Sequence, residues 1–182
     1  MSQSTTFYRI TESSFQSISD SDGINFNPIK ESKEYCTLER SFMGIEYVLS
    51  KAVEPENISL IHEIFQPANC IGGYDLSEYD IDKIDPTQLE SLVMNDSSIY
   101  YLTSDQVKEA HAVLSSLKES VIQNNYEPEE MNRKGIYPGV WHRDNSQDQA
   151  FNERDIIEGF WDLKTFFERA SAENDYVLCY IG

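Results

Sequence analysis

Apolar positions recur along this chain in two rhythms, and the switches between them mark out its elements. Phe7-Tyr8-Arg9-Ile10 reads as a short opening strand, since a period of two sends successive side chains to opposite faces of a sheet. Thr11 then offers a hydroxyl cap to a helix carrying Phe15 and Ile18. From Leu38 to Val53 the residues Leu38, Phe42, Ile45, Val48, Leu49 and Val53 recur mainly at three- and four-residue steps, which predicts an amphipathic helix. Ile58, Ile61, Ile64 and Phe65 predict a shorter helix ahead of Pro67, and Ile71-Gly72-Gly73-Tyr74 a turn.

The second half repeats the alternation. Ile99-Tyr100-Tyr101-Leu102 reads as a strand feeding a helix to about Gln123, with Thr103 or Ser104 as its N-cap and Asp105 in the first turn, where the helix dipole favours an anion. Val107, Ala110, His111, Leu114, Leu117 and Val121 form its apolar stripe, so His111 is expected to be structural. A polar stretch, 124–134, precedes the rigid turn Gly135-Ile136-Tyr137-Pro138-Gly139-Val140-Trp141-His142, and a polar loop follows over 143–152. Ile156, Ile157, Phe160, Leu163, Phe166, Phe167 and Ala170 mark a helix over 153–172, and the run from Tyr176 to Ile181 closes as a strand. Four or five helices on a small mixed sheet of three or four short strands, without regular strand–helix alternation, place the chain in the α+β class. Its 182 residues predict one domain.

Charge changes the picture most. The chain holds 32 acidic and 14 basic residues, a formal net charge of -18 at pH 7. Nucleic acid and anionic membrane are poor partners for it, because both need a clustered basic face. A field of this sign instead speeds encounter with a basic protein. The densest charge is 74–85, where Tyr74, Asp75, Glu78, Tyr79, Asp80, Asp82 and Asp85 interleave with apolar residues, the pattern of an exposed edge or surface loop.

Candidate chemistry is sparse. Cys36, Cys70 and Cys179 make no Cys-x-x-Cys pair and no zinc spacing, so a disulfide framework and a zinc site are not expected. The stretch 20–25 resembles a calcium loop only superficially: counted from Asp20, Gly23 is fourth, whereas an EF-hand needs its glycine sixth. No nucleophile elbow, phosphate-binding loop, dinucleotide fingerprint or His-Glu-x-x-His pair is present. Neither a metal nor a cofactor is expected, and catalysis has no evident foothold. No basic-then-apolar leader and no run of eighteen apolar residues occurs, so a cytoplasmic location is expected.

The turn Ile136-Tyr137-Pro138-Gly139-Val140-Trp141, the helix pattern Phe160-x-x-Leu163-x-x-Phe166-Phe167-x-x-Ala170 and the ending Val177-Leu178-x-Tyr180-Ile181-Gly182 resemble the YfbM-like bacterial family. Tyr101-Leu102-Thr103, Phe7-Tyr8-Arg9-Ile10 and Leu38-x-x-Ser41-Phe42-x-Gly44-Ile45 extend the likeness over nearly the whole chain. The resemblance implies a single mixed α+β domain and carries over no catalytic residue. The occurrence of some relatives near toxin loci suggests an immunity role. The polar loop 145–152 and His142 depart from the family pattern.

Two functions follow as expectations. The first is an immunity-type inhibitor that covers a basic effector such as a cognate toxin, with Tyr74, Asp75, Glu78, Tyr79, Asp80, Asp82 and Asp85 as its contact surface. The second is a small-molecule-binding domain or small enzyme, with an aromatic pocket near Tyr137, Trp141, His142 and Asp144.

Overall fold

A computed structural model describes residues 3–21, 27–72, 98–146 and 148–182. Its strands are β1 (Ser4–Ile10), β2 (Glu34–Glu39), β3 (Asn69–Ile71), β4 (Ile99–Leu102) and β5 (Tyr176–Ile181). They form one sheet in the order β2-β1-β5-β4-β3, every neighbouring pair antiparallel. The expected small mixed sheet is therefore corrected to a five-stranded antiparallel one.

The helices among the described residues are α1 (Glu12–Asp20), α2 (Pro28–Glu31), α3 (Phe42–Ala52), α4 (Ile58–Phe65), α5 (Ser104–Ser116), α6 (Glu119–Asn125), α7 (Pro128–Arg133) and α8 (Glu153–Ala172). The expected four or five become eight, for local reasons. The long helix anticipated over 104–123 breaks at Leu117, whose ψ of 135° is extended. Lys164 Nζ donates to the carbonyls of Ser115 and Leu117 at 3.2 and 3.1 Å, supplying partners that the ended helix lacks. Ile122 is buried after this break, whereas Val121 is only half-buried. α7 lies in the stretch taken as polar connection: Pro128 opens it, and Met131 is its buried apolar residue.

β2 was hidden for a different reason. Leu38 belongs to this strand, not to the helix that starts at Phe42, and Arg40 turns the chain between them with φ of 57°. Only Cys36 and Leu38 mark the buried side of the strand, too few beats to announce a period of two. Both predicted caps are present. Thr11 accepts from Ser14 N, and Thr103 and Gln106 form a reciprocal capping box.

One face of the sheet carries the main core. Phe7 meets Phe65, Phe166 and Phe167 with ring centroids 6.0, 6.2 and 6.1 Å away, joining β1 to α4 and α8. Two glycines make room for close packing: a Cβ on Gly44 of α3 would lie 2.3 Å from the Trp141 ring, and one on Gly159 of α8 2.3 Å from Ile45 Cδ1 of α3. The opposite face is covered by α1, where Phe15 stacks on Tyr176 at 4.0 Å and Ile18 is buried with Ile10, Ile71, Ile99 and Leu178. At the joint of β1, β2 and β5, buried Asp175 receives Lys33 at 2.9 Å and Arg9 at 3.3 Å, so the buried charge is paired.

Candidate functional site

The sequence-predicted residues fall into two groups. Tyr74, Asp75, Glu78, Tyr79, Asp80, Asp82 and Asp85 lie outside the described residues, as do Gly23 and its neighbours in the rejected calcium loop. Tyr137, Trp141, His142 and Asp144 are described. Trp141 is buried, with a relative exposure of 2%. Its ring nitrogen donates to Ile136 O at 2.9 Å, while Asn132 clamps its backbone N and O at 2.7 and 2.8 Å. Tyr137 Oη accepts from Gln3 N, Asp144 Oδ1 accepts from Ser146 N, and His142 is exposed and bonds Phe151 and Tyr126 through its backbone. Trp141 thus anchors the turn to the core, and Tyr126, buried beside it, has its phenol pKa raised by burial.

A surface groove of about 310 Å³ occurs elsewhere, between β2 and α8. Glu34, Tyr35, Cys36 and Thr37 form one wall, and Asp162, Thr165, Phe166 and Arg169 the other. β2 forms an end of the sheet, so one of its two backbone edges faces away from β1. Three bonds fix which groups point there. Arg40 N donates to Gln3 O, while Ser4 and Gly182 exchange bonds in both directions. In an antiparallel ladder bonded pairs alternate. The register then has Thr5, Phe7 and Arg9 bonding Leu38, Cys36 and Glu34, and the even residues of β1 bonding β5. Tyr35 and Thr37 are left with N–H and C=O directed away from β1, where no strand pairs with them among the described residues.

The same alternation sorts the side chains. Cys36 and Leu38 face the helices and join the main core. Tyr35 stands beside Tyr8, ring centroids 6.1 Å apart, and Thr37 bonds Thr6 at 3.0 Å. Tyr35 is 63% exposed. Cys36 is no nucleophile: burial first, then the charges of Asp162 and Glu34, push its thiol up to about 12. Arg169 is held by Glu34, which also meets Arg9 at 3.5 Å. On the outward stripe of α8, Glu158, Trp161, Asp162, Glu168 and Arg169 are exposed, at the three- and four-residue spacing of one helix face.

Sequence reasoning missed this groove because β2 itself was missed. The signal was the alternation of Tyr35, Thr37 and Glu39 with Cys36 and Leu38.

Residues 1–180 match a family described as a domain of unknown function, DUF1877. The chain belongs to the DUF1877 family. Its fold is similar to the crystal structure of YfbM from Escherichia coli, a protein of unknown function, with 13% identity, a TM-score of 0.64 and full coverage of both chains. At that identity the likeness concerns the fold alone. No curated protein matches. Among the described residues of this DUF1877 chain, no helix is long and apolar enough to cross a membrane.

Proposed function

We propose that this DUF1877 protein is a binding module of the inhibitor type, which neutralises a basic partner such as a toxin by covering its cationic surface. The observation that carries the reading is the internal use of its few cations. Arg9, Lys33, Lys51, Lys108, Lys134, Arg143, Arg154 and Arg169 each lie within ion-pair distance of a carboxylate of the same chain. With 32 acidic residues against 14 basic ones, even one-to-one pairing of every cation leaves a surplus of 18 carboxylates, 32 less 14. Surplus carboxylates raise the association rate with a cationic cleft and compete there with phosphate.

Within this reading the acidic segment around Asp75, Asp80, Asp82 and Asp85 and the outward stripe of α8 supply the charge, while Tyr74, Tyr79, Tyr35 and Trp161 supply aromatic anchors. The test is titration calorimetry against the product of the adjacent gene, repeated at rising salt and with Asp75, Asp80, Asp82 and Asp85 changed to Lys. The expected result is an affinity that falls with salt and falls further on charge reversal. An affinity indifferent to both refutes the reading.

A further inference from the structure

We propose that the β2 edge receives an extended basic segment of the partner as an added strand, in a cleft completed by α8. The proposal rests on the basic-partner reading above and specifies where and how the partner docks.

The first support is the state of the edge. A strand at the end of a sheet offers a row of free backbone donors and acceptors, and proteins commonly blunt such rows with proline, lysine or a covering element. β2, Glu34-Tyr35-Cys36-Thr37-Leu38-Glu39, contains neither residue. Tyr35 and Thr37, whose backbone groups face outward, both have exposed side chains. Among the described residues, the groove beyond them is lined on its far side by Asp162, Thr165, Phe166 and Arg169 of α8. This is the geometry of strand addition, in which main-chain bonds supply affinity and alternate side chains supply specificity.

The second support is charge complementarity, which identifies the occupant. Side chains of an added strand alternate between the two faces of the sheet. Those on the helix side would enter the groove beside Asp162 and Thr165, with Glu158 one turn away on α8. Glu34 is already engaged with Arg169 and Arg9, so Asp162 is the carboxylate presented to an incoming lysine or arginine. On the other face the incoming residues would lie along Tyr35 and Thr37, which suits an aliphatic or aromatic side chain. The favoured segment therefore alternates basic and apolar residues. A second copy of this chain is the poorer occupant, because each would bring a formal charge of -18 to the contact.

The probe is a short alternating lysine–valine peptide, titrated into the full chain at low salt and followed by fluorescence anisotropy and by the amide resonances of Tyr35 and Thr37. It is compared with the same peptide N-methylated along one edge, which keeps every charge and removes the donors, and with an alternating glutamate–valine peptide. The protein arms are wild type, Thr37→Pro and Asp162→Asn. Proline at 37 deletes an outward donor and leaves the β1 ladder intact, an edge position where proline is tolerated.

The lysine peptide is expected to bind and shift both amides, and N-methylation and Thr37→Pro to weaken it at least about tenfold, the loss of one to two net hydrogen bonds. Asp162→Asn should weaken it severalfold and reduce its salt dependence. If the N-methylated and parent peptides bind alike, and both respond to salt, strand addition is overturned while the basic-partner reading stands. If the lysine peptide fails to bind, or binds no better than the glutamate peptide, both fall. A dimer in sedimentation equilibrium that Thr37→Pro dissolves reassigns the edge to self-pairing and also overturns the proposal. Should Thr37→Pro unfold, as judged by its melting curve, the N-methylated peptide decides alone.

Discussion

Replacing Gly44 with Ala tests how the turn at Trp141 is fixed to the core. The added methyl would lie 2.3 Å from both Cη2 and Cζ2 of the Trp141 ring and 3.1 Å from Ile156 Cδ1. The ring has little room to yield. Its nitrogen is bonded to Ile136 O, its backbone is clamped on both sides by Asn132, and Tyr126 and Phe151 pack edge-on against it at 6.4 and 6.0 Å. Overpacking of this kind costs about 1–3 kcal/mol, and the rigidity of the obstacle places Gly44→Ala at the upper end. Alanine returns up to about 1 kcal/mol in helix propensity. The expected net loss is about 2 kcal/mol, or a drop in Tm of roughly 4–8 °C for a chain of this size.

Gly159→Ala is the internal control. Its methyl also meets a neighbour at 2.3 Å, but that neighbour is Ile45 Cδ1, the far end of a flexible side chain. Its net effect should lie within about 1 kcal/mol of zero, because rotation of Ile45 and the propensity gain offset one another. Trp141→Phe removes the ring carbons that Gly44→Ala strikes, so the double variant should be less destabilised than the sum by about 1–2 kcal/mol. Urea unfolding of the four variants and the wild type measures all of this. A Gly44→Ala protein as stable as wild type, or a Gly159→Ala protein destabilised as much as Gly44→Ala, refutes the reasoning.

Two further outcomes follow from local electrostatics. Burial pushes the thiols of Cys36 and Cys179 up to about 12, while Cys70 is exposed; iodoacetamide near neutral pH should therefore label Cys70 alone in the folded protein, and all three once urea unfolds it, as read by peptide mass mapping. Glu130 is held well below its ordinary value of 4.5 by Lys134 first and Lys51 next. A depressed carboxylate contributes stability that is present above its unfolded value and lost as pH falls through the folded one. Glu130→Gln should thus flatten the fall in stability below about pH 4.5, checked by urea midpoints at stepped pH, and an unchanged slope counts against it.

The helices α1, α3, α4 and α8 and the strands β1, β4 and β5 were legible where several residues voted together. Seven apolar positions mark α8, and the capping signals at Thr11 and Thr103 sit at the boundaries they announce. Most of the remaining elements were lost because tertiary contacts decide them. β2 has two buried apolar residues and is a strand because β1 pairs with it throughout. The break at Leu117 depends on an amine from α8, some fifty residues away in sequence, and no local pattern carries that information. Gly44 and Trp141 were each conspicuous in the sequence, yet nothing in their spacing tells that one makes room for the other.

The candidate site was less legible still, and the reason is physical. Net charge can be counted from composition, but the fraction left to act on a partner depends on which carboxylates the chain neutralises itself, a matter of distances. Glu34 looks in sequence like one more acid beside a tyrosine. In the fold it is taken up by Arg169 and Arg9, whereas Asp162, thirteen positions past the polar turn at Asp148–Gln149 on a helix read only for its apolar stripe, lines the groove. Likewise, a free backbone edge leaves no mark on composition: it appears only when the ladder assigns the donors of Cys36 and Leu38 inward, and so those of Tyr35 and Thr37 outward. Long-range attraction by surplus carboxylates and short-range registry by an open strand act at different distances. A partner that used both would be drawn in by the first and oriented by the second, which is why salt and backbone methylation are expected to weaken binding separately.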